Sequence, residues 1–185
     1  MRALATLSLI VMTLLSVVAC VDDGAANNSN TNNNTNTTNN TNSGATLFGT
    51  LEVTAVTVGY NGSYGPHNVA VIWIQKPDGT FVQTLYLAQR FYGIYLSQWT
   101  SVSQGDVTDA VTEASRMNQG TMTGTWNLQG VEPGEYEFWA EFTEENRAGK
   151  YDYGVITLDG SAVTVTATPT PAFSLLEARF TPAAR

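Results

Sequence analysis

The sequence predicts an all-β fold, an immunoglobulin-like antiparallel β-sandwich with a short helical insertion over about residues 90–120. Three observations carry that expectation. From Leu47 onward the chain breaks into short runs of alternating apolar and polar residues punctuated by turn residues, the pattern of half-buried strands joined by tight connections. About eight runs of ordinary strand length succeed one another, enough for a two-sheet sandwich. Between Arg90 and Gly120 the alternation gives way to apolar residues three and four apart, which is helical spacing.

The segment before Leu47 reads as an address. Met1 to Ala19 carries one early basic residue, Arg2, and then an apolar stretch from Ala3 to Leu15 that continues through Val17 and Val18. It is short for a membrane span and has the form of a secretory signal. Its end, "VVAC", resembles a bacterial lipobox, with small Ala19 directly ahead of Cys20, the sole cysteine of the chain. That resemblance implies cleavage before Cys20 and acylation of its sulfur by palmitate-like chains. Each buried methylene adds about 0.8 kcal/mol of membrane affinity, so two or more chains hold a protein durably where one does not. From Asp22 to Thr46 the composition collapses to Asn, Thr, Ser, Gly and Ala. Such a tract cannot bury enough apolar surface to offset chain entropy and reads as a disordered tether. About 25 flexible residues span roughly 25–30 Å root-mean-square. The expected organisation is a lipoprotein signal over 1–19, a lipidated Cys20 with its tether over 20–46, and a β-sandwich over 47–185.

Within the domain, "TLEVTAV" puts Leu51, Val53 and Ala55 on one face and then slips phase to Val56, Val58 and Tyr60, implying a bulge or a change of sheet. "NVAVIWI" is apolar on both faces and fits a central strand, joined through "KPDG" to "TFVQTLYLA" as a hairpin. "TGTWNL" precedes the Pro133-Gly134 turn. "EYEFWAEF" then alternates Tyr136, Phe138, Ala140 and Phe142 against Glu135, Glu137, Trp139 and Glu141, which predicts one core face and one solvated face. "YDYGVITL", "AVTVTAT" and "FSLLEARF" supply the last strands. In the insertion, Tyr92, Tyr95, Leu96 and Trp99 share a helical face, and Val107, Val111 and Ala114 predict a second helix capped by Asp106.

The formal charge of -8 repels phosphate backbones and, with no basic cluster, argues against nucleic-acid binding. A single cysteine cannot form an internal disulfide.

The strings "YGPHNVAVIWIQKPDGTFVQTLYLAQRFYGIYLSQW", "TDAVTEASR", "TGTWNLQG" and "PGEYEFWAEFTEENRAGKY" stand in order between about Val53 and Thr157. Together they resemble the uncharacterised periplasmic family known as domain of unknown function 2271. Ile72 pads the first of these motifs, and Glu113 stands where that family commonly has Gly. The resemblance implies a small secreted immunoglobulin-like protein that accompanies membrane proteins of redox or metal handling and a flavin transferase. It names no reaction.

The candidate chemistry is sparse. "DAVTEAS", Asp109 to Ser115, is similar to the element onto which flavin transferases esterify FMN. By that analogy Ser115 receives a covalent FMN phosphate and Asp109 helps to hold the transferase's metal, although Glu113 adds bulk and a charge that repels phosphate. The bland alternative is a short surface helix packed through Val111 and Ala114. His67, the sole histidine, lacks the partner ligands a transition metal needs, and no "GxSxG" elbow accompanies it for nucleophilic catalysis. Glu135, Glu137 and Glu141, with Glu144 and Glu145 in the next turn, offer oxygen ligands or an acid pair, or simply a solvated sheet face. Trp139 among them is a docking point or a covered core residue.

Taken together, the expectation is a non-catalytic accessory module. It is anchored by Cys20 to membrane lipid in a bacterial cell envelope, on the periplasmic face of the outer membrane or at the cell surface. It contacts a protein partner, such as a membrane redox or metal-handling protein, through Tyr92, Tyr95, Trp99 and Trp139. The alternative expectation is a flavin-carrying electron-transfer protein modified at Ser115.

Overall fold

The computed structural model describes residues 45–89 and 92–184; the expected signal segment, Cys20 and the tether as far as residue 44 lie outside them. The described residues form nine strands: β1 (Leu47–Thr57), β2 (Val69–Gln75), β3 (Phe81–Ala88), β4 (Val111–Glu113), β5 (Thr121–Val131), β6 (Gly134–Thr143), β7 (Lys150–Leu158), β8 (Val163–Thr166) and β9 (Phe173–Pro182). A 3-10 turn, Gly93–Tyr95, and one helix, α1 (Ser97–Ser103), stand between β3 and β4. Among these residues no helix is long and apolar enough to cross a membrane.

The strands make two sheets, of order β5-β1-β9-β8 and β4-β3-β2-β6-β7. Every pairing is antiparallel except the short β3–β4 contact, which is parallel. Immunoglobulin domains place strands A, B and E in one sheet and G, F, C and C′ in the other. Here β5-β1-β9 occupy E-B-A, and β7-β6-β2-β3 occupy G-F-C-C′. The A position is filled by β9, which follows G in the chain.

Alternation explains the main core. Leu51, Val53 and Ala55 of β1, Met122, Trp126 and Leu128 of β5, and Phe138, Ala140 and Phe142 of β6 all turn inward between the sheets. The phase slip foreseen at the end of β1 is a register shift against β9 between Val56 and Thr57, and the strand stays in its sheet. β2 is buried along its whole length between β3 and β6. Its hairpin to β3 turns on Gly79 at φ 84°, while the Asp78 carboxylate accepts from the Thr80 amide at 2.9 Å.

Two expectations are corrected. The outer face of β6 is not simply solvated: Val69, Val71, Trp73, Leu87, Leu96 and Trp99 form a second apolar cluster outside the five-stranded sheet, and Trp139 packs against it. The insertion supplies the cover, since Leu96 and Trp99 come down from the 3-10 turn and α1. The second helix is absent from the described residues. Asp109 lies in the left-handed region at φ 60°, which interrupts a right-handed helix, and Val111–Glu113 instead pairs with β3 at the sheet edge. Asp106 does not cap a helix; its carboxylate closes a turn on the Thr108 amide at 2.8 Å.

Candidate functional site

Two features stand out on the five-stranded sheet. The first is an aromatic row across β2, β6 and β7, where register places Trp73 opposite Trp139 and Trp139 opposite Tyr153. Trp73 and Trp139 stack with centroids 5.3 Å apart, and Trp139 and Tyr153 at 4.4 Å with only 12° between planes. Tyr151 leans on the same indole at 5.6 Å.

Polar partners lock the row in place. The Trp139 indole donates to Glu137 Oε2 at 2.9 Å, the Gln75 amide donates to that same oxygen at 2.8 Å, and the Trp73 indole donates to Gln75 Oε1 at 2.9 Å. Exposure rises along the row: Trp73 is buried, Trp139 half-buried, and Tyr151 and Tyr153 are 44% and 47% exposed. Because β7 is an edge strand, the row ends on open surface. Rigid aromatic side chains with satisfied polar groups are the residue type that anchors protein interfaces.

The second feature is a cleft of about 250 Å³ where β2 begins and β6 ends. Glu144, just past β6, is buried and organises this end. Its Oε2 accepts from the Tyr60 and Gly62 amides at 3.1 and 3.0 Å, and its Oε1 accepts from the Gln119 side-chain amide. The loop between β1 and β2 is thereby tied to the turn after β6. Tyr64, His67, Asn68, Tyr95 and Ser115 line the cleft.

The residues singled out in the sequence land in different settings. Tyr92 is exposed and Tyr95 half-buried on the cleft wall, their rings stacked 6.4 Å apart. Trp99 does not reach the surface: it is 3% exposed and its indole donates to Thr84 Oγ1 at 2.8 Å. That corrects its expected role in partner contact, since a covered ring has no area to offer. Glu141, expected on the solvated face, is fully buried. Its carboxylate accepts from the Gln98 and Trp99 amides at 3.1 and 3.0 Å, so it caps the first turn of α1 from another strand. Burial pushes its pKa up, against the opposing pull of these backbone N–H groups. Glu135 and Glu137 lie exposed and half-buried on the outer face of β6, and Glu145 is half-buried beside the cleft.

Ser115 and Asp109 are not brought together. Asp109 is exposed beside Phe81 and Thr84, in a different depression from Ser115. The Ser115 hydroxyl is buried, and two carboxylates, Glu144 and Glu145, line its cleft. A phosphate ester there would require exposure of that oxygen and would meet repulsion from both acids, so these residues do not fit a covalent flavin. Burial also pushes the Tyr86 phenol up to about 12, and its hydroxyl donates to Glu113 Oε2 at 3.2 Å. His67 is exposed at the cleft, and among the described residues no hydrogen bond joins its ring to a carboxylate and a hydroxyl. No group of three potential ligands among them is placed to hold a metal ion.

Sequence reasoning missed Tyr151, Tyr153 and Asn68. The first two were readable: "YDYGV" alternates, and its outward parity meets Trp139 across the ladder. Asn68 had no such signal, because its place depends on the bridge to Arg116 from the far end of the insertion.

Fold and surface define a small immunoglobulin-like sandwich with one covered outer face and an open aromatic margin. No family model, curated protein or solved structure matches the chain.

Proposed function

We propose that this protein is a lipid-anchored, extracytoplasmic binding module, a non-catalytic accessory to a membrane complex. The observation that carries the reading is the locked aromatic row from Trp73 to Tyr153, ending open on the β7 edge. Packed indoles whose N–H groups are already satisfied lose little entropy on docking, which suits them to anchor a protein partner. The lipobox-like "VVAC" and the Asn-rich stretch after it support a membrane address in a bacterial envelope. Resemblance to the periplasmic family named above supports a redox or metal-handling partner.

The test uses the full chain produced in a bacterium that processes lipoproteins. Labelled palmitate enters the native protein, and Cys20→Ser releases it from the membrane fraction. A photo-crosslinking residue at Tyr153 captures one discrete species in membranes, while the same residue at Thr125, on the outer face of the other sheet, captures none. Absence of label with unchanged fractionation of Cys20→Ser overturns the anchor. Equal capture from both positions overturns the docking surface.

A further inference from the structure

The cleft at the start of β2 shares no residue with the aromatic row, and its chemistry is one-sided. Its described walls carry tyrosines and two carboxylates, with the exposed His67 at the rim and no lysine or arginine. Glu144 is already engaged by the Tyr60, Gly62 and Gln119 N–H groups. Among the described residues the Glu145 carboxylate pairs only with the outlying Arg147, at 3.3 Å, whose side chain is 78% exposed; an ion pair that open to water holds weakly.

The second, independent observation lies on the cleft wall. Asn68 is 4% exposed, and its Nδ2 donates to the Pro66 and Asn118 carbonyls at 3.0 and 3.2 Å. Those two bonds fix the orientation of the amide, so the atom left over is an acceptor, Oδ1, which has no partner among the described residues. The Ser115 hydroxyl on the same wall is also buried without one. A buried acceptor demands a donor, and tyrosine faces attract cations.

We infer that this cleft binds a small primary ammonium group, as a free alkylamine or an amine-bearing ligand of similar size. The N–H groups serve Asn68 Oδ1 and Ser115 Oγ, while the positive charge faces Glu145 and the rings of Tyr64, Tyr92 and Tyr95. A quaternary ammonium has the charge but no N–H, and an alcohol has a donor but no charge. The volume of about 250 Å³, below that of pockets for drug-sized ligands, suits a group of few heavy atoms.

The experiment titrates the full chain, with isotope-labelled tyrosine rings observed by NMR, with n-butylammonium chloride, tetramethylammonium chloride and n-butanol. Butylammonium shifts the Tyr64, Tyr92 and Tyr95 signals saturably, tetramethylammonium binds about tenfold more weakly, and butanol does not bind. Glu145→Gln and Ser115→Ala each weaken butylammonium about tenfold while the Tyr151 and Tyr153 signals stay in place. Glu145 gives up only its pair with the exposed Arg147, so its variant folds even if Ser115→Ala does not. The assignment is overturned if butylammonium gives no saturable shift, if tetramethylammonium binds as tightly, or if Glu145→Gln leaves the affinity unchanged.

Discussion

The outer faces of the two sheets are built on opposite terms. On the four-stranded sheet the outward positions are Thr50, Glu52 and Thr54 of β1 and Thr123, Thr125 and Asn127 of β5, wholly or partly in water. They are joined by cross-strand contacts such as Thr54 to Thr123 at 3.3 Å. On the five-stranded sheet the corresponding positions hold Val71, Trp73 and Leu87, and the 3-10 turn and α1 close over them. The first face ends in solvent; the second begins a third layer. Alternation along a strand therefore identifies which residues share a face, but exposure of that face depends on what the rest of the chain brings to it.

Trp99→Ala should break this contrast most severely. It removes the largest side chain contributed by the covering layer and its bond to Thr84, at a cost of about 3–5 kcal/mol, read as a lower midpoint in urea unfolding. Loss of under about 1 kcal/mol would mean that the insertion rests on the sheet without stabilising it.

Glu141→Gln probes the same layer through pH. Because burial raises the folded-state pKa above the unfolded value of 4.5, the folded protein holds this proton more tightly than the unfolded chain. The stability this contributes is fully present below 4.5 and is lost as pH rises through the folded value. The stability of the native protein minus that of the variant should accordingly fall with rising pH across that window. A flat difference curve would mean that the carboxyl is not desolvated beneath α1.

Thr54→Ala, on the open sheet, gives the smallest effect, within about 0.5 kcal/mol in the same urea experiment. A cost approaching that of Trp99→Ala would erase the distinction between the faces.

Much of the fold was legible because strand periodicity is local. The eight runs read from the chain correspond to β1, β2, β3 and β5 to β9, and the doubly apolar "NVAVIWI" sits at the centre of its sheet. The insertion was read half correctly. Apolar spacing pointed to the place of α1, although of Tyr92, Tyr95, Leu96 and Trp99 only Trp99 lies in it and Tyr95 belongs to the 3-10 turn; Val107, Val111 and Ala114 satisfied the same spacing without forming a helix, because Asp109 turns left-handed and Val111 joins the ladder beside β3. The surfaces were less legible. Trp139 was picked out as the odd member of an acidic row, whereas its stacking on Trp73 and Tyr153 required three strands in register.

By itself, the order of residues determined the sandwich, the strand inventory and the inward faces, since side-chain parity along a strand follows from backbone geometry alone. Tertiary structure alone decided that Glu141 lies under a third layer to which Trp99 belongs, that β9 fills the A position, and that Asn68 and Ser115 line one cleft. Each of these is a contact between segments far apart in the chain, so the energy that selects it comes from burial and hydrogen bonding that no local window contains.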